Sequence, residues 1–215
     1  MKRKLFAVAA MTLAFLVAGT SAATADTGPG ASSGAGEAAV AATGCGGFHS
    51  ETRPPTTIHV LLRSQRKVVA VPFQTYVDNV LPNEWIASWK AQSLYAGAVA
   101  VKTFAWYWAN HSSGHSYGGK CYDVDDTTSY QVYKAGSANA NTTAAVKATW
   151  KVLAREGGVV FASQYRAGTR GQACTTGQGT NIMHQWASQT CALQGHNYSY
   201  MLGIYYPHIT LGTTT

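Results

Sequence analysis

Apolar positions along the chain alternate between two periods, and the switches mark the elements. Thr57-Ile58-His59-Val60-Leu61-Leu62 and Lys67-Val68-Val69-Ala70-Val71 are β-prone runs, with Arg63 to Arg66 free to turn between them, which predicts a hairpin. Pro72 then opens a short helix through Val80, with Tyr76, Val77 and Val80 on one face. From about Ile86 to Asn110 the chain is rich in helix-favouring Ala, Leu, Lys and Gln. Its stripe of Leu94, Ala98, Val101 and Ala105 predicts a buried helix, and Gly97 within it predicts close packing.

Residues 111–120 read as loop, because Gly and Ser dominate them. Thr142 to Trp150 reads as a helix with Asn139 or Asn141 as its cap. Val152 to Arg155 and Val159 to Tyr165 predict a second hairpin around Glu156-Gly157-Gly158. After a Gly- and Thr-rich loop over 167–180 come a helix from Ile182 to Leu193, ended at Gly195, and a last one from Ser199 to Tyr206, stopped by Pro207. Strands and helices mix without a βαβ rhythm. The expected class is therefore α+β: a single mixed domain with two hairpins packed on a long Ala-rich helix and a C-terminal helical segment.

The first 44 residues carry a different pattern. Lys2-Arg3-Lys4, an apolar run from Leu5 to Val17 and the small residues Ala23-Thr24-Ala25 predict a cleaved signal peptide over residues 1–25. The run is short of the roughly 20 apolar residues of a membrane span, so an uncleaved anchor is the lesser alternative. Residues 26–44, mostly Gly, Ala, Ser and Thr, read as a flexible linker, and the folded domain is expected over 45–215.

The chain has 215 residues, 46% hydrophobic and 12% charged, which excludes a coiled coil and a charge-rich disordered protein. Removing Lys2, Arg3 and Lys4 from the 16 Lys and Arg leaves 13 against 9 Asp and Glu, a net charge of +4. No basic block points to nucleic acid. The weak positive charge is compatible with an anionic cell envelope. Export implies disulfides among Cys45, Cys121, Cys174 and Cys191, with three pairings open. The closeness of Cys174 and Cys191 favours that pair, leaving Cys45 with Cys121.

Few groups offer acid–base chemistry. Glu84 stands out between two predicted helices, with Trp85 adjacent and Trp89 five residues on. A carboxyl beside indoles is partly desolvated, which raises its pKa toward what a general acid needs at neutral pH. Indole faces also suit the apolar faces of sugar rings. The plainer reading makes Glu84 an acidic residue in a helix's first turn and the two tryptophans core aromatics. His111, His115 and Cys121 are weak candidates for a zinc site, because a Gly/Ser-rich loop separates them and an exported cysteine favours a disulfide. Cys45 as a nucleophile is disfavoured for the same reason.

Several ordered segments resemble the SpoIID/LytB domain family. They are Val71 to Trp85, Trp89 with Leu94, Ala98 to Ala105, Asp125 to Tyr133, Ala144 to Thr149, Phe161 to Tyr165, and the closing Met183 to Ala187, Gly195 to Tyr198 and Tyr205-Tyr206-Pro207. The similarity spans about residues 57–210. It implies a secreted, cell-wall-acting protein. Sporulation members are lytic transglycosylases that cut peptidoglycan glycan strands, preferring peptide-free ones, and LytB-type members are amidase enhancers. The family's catalytic acid matches Glu84. Trp85, Trp89, Lys102, Gln131, Tyr133 and Gln185 are then expected to contact the glycan or support the site, and for each a structural role is the competing expectation. Lys102 replaces the family's usual Arg. Of the His and Cys through which some members bind metal, only Cys121 remains, so no cofactor is expected. The expected partners are glycan strands and, on the enhancer reading, a wall amidase. Membrane contact is expected only through the signal peptide during export.

Overall fold

The computed structural model describes residues 45–215; the signal-peptide and linker expectations lie outside them. Strands β1 (Thr57–Leu62) and β2 (Lys67–Pro72) form the first hairpin as expected, with Thr57 opposite Pro72 and Leu62 opposite Lys67. The inward side of β1 is sealed: Ile58 and Val60 are completely buried. Helix α1 (Phe73–Glu84) follows β2 with no intervening loop. It runs four residues past the expected end, through Pro82. A proline near the C-terminal end removes one N–H donor but leaves the last turn closable, and Trp85 N–H still reaches the carbonyl of Leu81 at 2.8 Å.

Helix α2 (Ala91–His111) begins five residues later than its pattern suggested, because residues 85–90 turn the chain back from α1. Its 21 residues span about 30 Å at 1.5 Å per residue. It is the axis of the core, with Ala96, Val99, Ala100, Val101 and Ala105 at or near zero exposure. Gly97 earns its place by proximity: a Cβ there would stand 2.6 Å from the indole of Trp85. Small residues along this face let α1, α3 and the C-terminal helices approach the axis closely.

One short ribbon, β3 (Ser116–Tyr117) with β4 (Lys120–Cys121), punctuates the loop after α2. Strand β5 (Val124–Asp125) then adds in parallel to β1, giving the sheet order β2-β1-β5. Helix α3 (Ala140–Thr149) is capped by the Asn139 side chain, which accepts from the Asn141 N–H at 3.0 Å.

The second hairpin does not extend beyond its turn. Glu156 and Val159 exchange both backbone hydrogen bonds around Gly157 and Gly158, but β6 (Val152–Glu156) pairs along its length with β9 (Ile209–Thr213). The returning chain is drawn inward instead. Val160 N–H donates to the Glu51 carboxylate, Val160 and Phe161 are buried, and Ser163 Oγ donates to the Ala100 carbonyl on α2 at 2.8 Å. Strand β7 (Gln164–Arg166) then pairs in parallel with β8 (Ile182–His184). The expected helix over Ile182 to Leu193 is therefore a strand for three residues and becomes helix α4 only at Gln185–Leu193. Helix α5 (Tyr198–Tyr205) is capped by Asn197.

The α+β class holds, with five helices and several small sheets among the described residues. Cys45 bonds to Cys121 and Cys174 to Cys191, the pairing that sequence proximity favoured. No helix among the described residues is long and apolar enough to cross a membrane.

Candidate functional site: a carboxyl at the end of α1

Glu84 is the last residue of α1, not part of a helix's first turn. The plainer reading of this residue therefore fails on electrostatics. At a helix C-terminus the backbone dipole disfavours a negative charge by a few tenths of a kcal/mol to about 1 kcal/mol. The carboxyl is half-buried beside a hollow of about 410 Å³ lined by Asn83, Thr128, Tyr130, Val132, Tyr165, Arg166, Ala167 and Gln185. Desolvation raises its pKa above the ordinary glutamate range. Two donors oppose the shift without cancelling it: the Val132 N–H to Oε1 at 2.8 Å and the Gln185 side-chain amide to Oε2 at 3.4 Å. No cation lies within ion-pair reach of Glu84 among the described residues.

A second hollow of about 250 Å³ continues from the first, sharing Thr128, Tyr130 and Tyr165. Phe104, Trp108, Ser129, Ala162 and Gln164 complete its walls, and Trp108 meets Tyr130 edge-on at 5.0 Å. Together the hollows make a groove with aromatic sides, and Glu84 is the only carboxylate among the described residues lining them.

The loop that closes this groove is organised by Asp125. Its buried carboxylate accepts from Thr127 N–H at 2.9 Å and Thr127 Oγ1 at 2.6 Å, and it pairs with Arg63 at 2.8 Å. The chain from 127 onward is thereby directed under α1. Gln131 is fully buried; its amide donates to the Val101 carbonyl at 3.1 Å and to Tyr165 Oη at 2.9 Å, while its oxygen accepts from Tyr76 Oη at 3.2 Å. Tyr133, also buried, stacks on Tyr76 with centroids 5.2 Å apart. The residue between them, Val132, is left with its N–H aimed at Glu84. Gln131 and Tyr133 therefore support the site from below and do not line the hollow.

The other expected glycan contacts divide sharply. Gln185, at the start of α4, touches Glu84 directly. Trp85 is corrected from groove wall to core: it is 1% exposed, packs on Gly97 and donates from Nε1 to Ser188 Oγ at 3.3 Å. Neither face of its ring is open to a sugar. Lys102 is corrected likewise. It is 2% exposed, and its Nζ donates to the carbonyls of Thr149, Trp150 and Val152 at 3.2, 2.6 and 2.5 Å, joining the end of α3 to β6. Burial pulls its pKa down to about 7. Trp89 is partly buried against Trp186, with centroids 4.7 Å apart, and lines a separate hollow of about 300 Å³ with Leu94, Tyr95 and Asn141.

The weak metal candidates are engaged in other contacts. Cys121 is joined to Cys45, so it offers no thiolate. His111 stacks on Tyr107 and its Nδ1 contacts the Tyr107 carbonyl at 2.7 Å, while His115 stacks on Tyr122. Sequence reasoning missed Val132, because its contribution is a backbone N–H. It also missed Tyr130, Tyr165 and Arg166, which reach the groove only through long-range pairing. Tyr130 and Tyr165 do fall within or at the ends of family-like segments, which was the available signal.

Residues 63–154 match the family described as Stage II sporulation protein (SpoIID). The chain is 36% identical over 88 residues to the amidase enhancer of Bacillus subtilis and 35% identical over 95 residues to an uncharacterized protein of Brachyspira hyodysenteriae. These alignments cover 40% and 44% of this chain, but only 11% and 25% of the two relatives. The matched segment contains α1, α2, the Asp125 loop and α3, and with them Glu84 and Val132.

Proposed function

We propose that this domain is an exported lytic transglycosylase that cuts the glycan strands of peptidoglycan with Glu84 as its single acid and base. The observation that carries the reading is a desolvated carboxyl, free of any ion pair, at the side of an open groove that holds no second carboxylate among its described lining residues. Hydrolysis with two carboxylates needs a partner to activate water or form a glycosyl-enzyme bond. Transglycosylation does not. Protonated Glu84 gives its proton to the glycosidic oxygen as the bond to the anomeric carbon breaks. The resulting carboxylate then takes the proton of the same sugar's 6-hydroxyl, whose oxygen closes a 1,6-anhydro ring. The Glu84 proton is restored and no water enters the balance.

Gln185 and the Val132 N–H hold the two carboxyl oxygens apart in a fixed orientation through both steps. The match of residues 63–154 to the sporulation-protein family and the two disulfides support action outside the cytoplasm, on the cell wall.

A second reading rests on the similarity to the amidase enhancer: a wall-binding module without catalysis that acts with a wall amidase. Incubation with peptide-free glycan strands separates the two. The enzyme reading expects anhydro-ended fragments that disappear in Glu84→Gln while strand binding persists. Strand binding with no fragments from the unsubstituted protein supports the module.

A further inference from the structure

The hollow beside Glu84 contains one cationic side chain, Arg166. It sits at the end of β7, directly opposite His184 of β8 in the parallel pairing. Its Nε donates to His184 Nε2 at 2.7 Å, and neither terminal nitrogen has a hydrogen-bond partner among the described residues. The guanidinium is thus held by its inner nitrogen, and its outer fork is left open toward the hollow. That is the half of arginine whose geometry matches a carboxylate with two parallel N–H···O bonds.

His184 is built to stay in place. It is buried, and its ring packs on Gly177 so closely that a Cβ there would stand 2.8 Å from the imidazole. Gly177 has φ +85, a conformation that a side chain would also strain. The His184 Nδ1 is buried with no partner among the described residues. An acceptor Nε2 requires the neutral ring, and burial together with the Arg166 charge lowers the His184 pKa, which keeps the ring neutral. The next residue along the chain is Gln185, so one rigid turn of backbone places both the Glu84 donor and the Arg166 support.

We propose that Arg166, positioned by His184, is the side chain that binds a muramyl carboxylate beside the bond that Glu84 addresses, and so the residue that reads the peptide-free state which the family resemblance leads one to expect. The inference rests on the glycan reading above and adds a specificity determinant to it. A muramyl lactyl group is an anion when unsubstituted and a neutral amide when it carries a peptide. The fork distinguishes the two by charge and by bidentate geometry.

The test compares two probes: peptide-free glycan strands, and the same strands with their carboxyl groups reduced to alcohols. The unsubstituted protein is expected to bind the carboxyl-bearing strands about tenfold or more tightly than the reduced ones. Arg166→Gln is expected to bind the two alike, and Arg166→Lys to keep part of the preference as a point charge. His184→Ala is expected to lower the preference and His184→Gln, whose side-chain oxygen can still accept from Nε, to restore part of it. Circular dichroism spectra matching the unsubstituted protein confirm that each variant is folded. Equal or absent binding of both probes by the unsubstituted protein overturns the proposal, as does a preference that survives Arg166→Gln. A preference that depends on Arg166, found without any anhydro products, sustains the carboxylate site and overturns only the catalytic role of Glu84.

Discussion

The backbone N–H of Val132 donates to Oε1 of Glu84 at 2.8 Å across 48 residues of sequence, and among substitutions at 132 only proline removes that donor. It comes from a loop clamped on both sides: Gln131 is tied to Val101, Tyr76 and Tyr165, and Tyr133 is stacked on Tyr76. The orientation of the carboxyl is therefore a property of the core.

Loosening that clamp should act on turnover more than on strand binding. Gln131→Leu removes three hydrogen bonds, to the Val101 carbonyl and the Tyr76 and Tyr165 hydroxyls, at about 0.5–1.5 kcal/mol each and about 1–3 kcal/mol where a buried partner is left unsatisfied. The expected result is a clear drop in Tm with a fall in kcat that exceeds the change in KM, measured by thermal unfolding and glycan turnover on the folded protein.

The pH dependence has a defined sign. Glu84 must be protonated to act as acid, and desolvation raises its pKa above the ordinary range. The alkaline limb of kcat/KM should therefore lie above about 4.3, the unperturbed glutamate value. The same shift lowers stability: as pH rises from the unfolded-state pKa through the higher folded-state pKa, the folded form must ionise against its surroundings. Glu84→Gln should accordingly raise Tm at pH 7 while activity is lost, and the gain should vanish near pH 4. A Tm that falls at pH 7 contradicts this.

Lys102 gives the opposite dependence. With its folded pKa near 7 against 10.5 unfolded, the folded state binds the proton less tightly, so stability relative to Lys102→Met should rise as pH increases from about 7 to 10. Denaturant unfolding at both pH values reads the difference. Lys102→Met leaves three buried carbonyls without their donor and should lower Tm at either pH.

The core helix axis tolerates no bulk at position 97. Gly97→Ala places a methyl group against the Trp85 indole, where overpacking costs about 1–3 kcal/mol. Calorimetry should show Tm lowered by roughly 2–10 °C for a domain of this size.

Much of this architecture is legible in the sequence where local period and tertiary demand agree. The β1–β2 hairpin, the buried face of α2 and the Asn139 cap follow from alternation, the Ala-rich stripe and capping chemistry. The second hairpin is not legible, because Val159 to Tyr165 is drawn inward by the Ala100 carbonyl, which accepts from Ser163, and by the Glu51 carboxylate, both distant in sequence. The same applies to Ile182-Met183-His184, whose strand state exists only through β7. At the site, Glu84 and Gln185 could be singled out from residue type and family resemblance. Trp85 and Lys102 could not be assigned correctly, because a tryptophan beside a carboxyl and a lysine in a helix look alike whether they face a groove or the core. Only burial distinguishes them.

The central claim is that Glu84 both gives and takes the proton of strand cleavage. Mass spectrometry of peptide-free glycan strands after incubation tests it most directly. The unsubstituted protein should yield fragments lighter by one water than hydrolysis products, with a loss of about a hundredfold or more in Glu84→Gln and strand binding retained. Fragments carrying the full mass of added water, or anhydro fragments undiminished in Glu84→Gln, would contradict it.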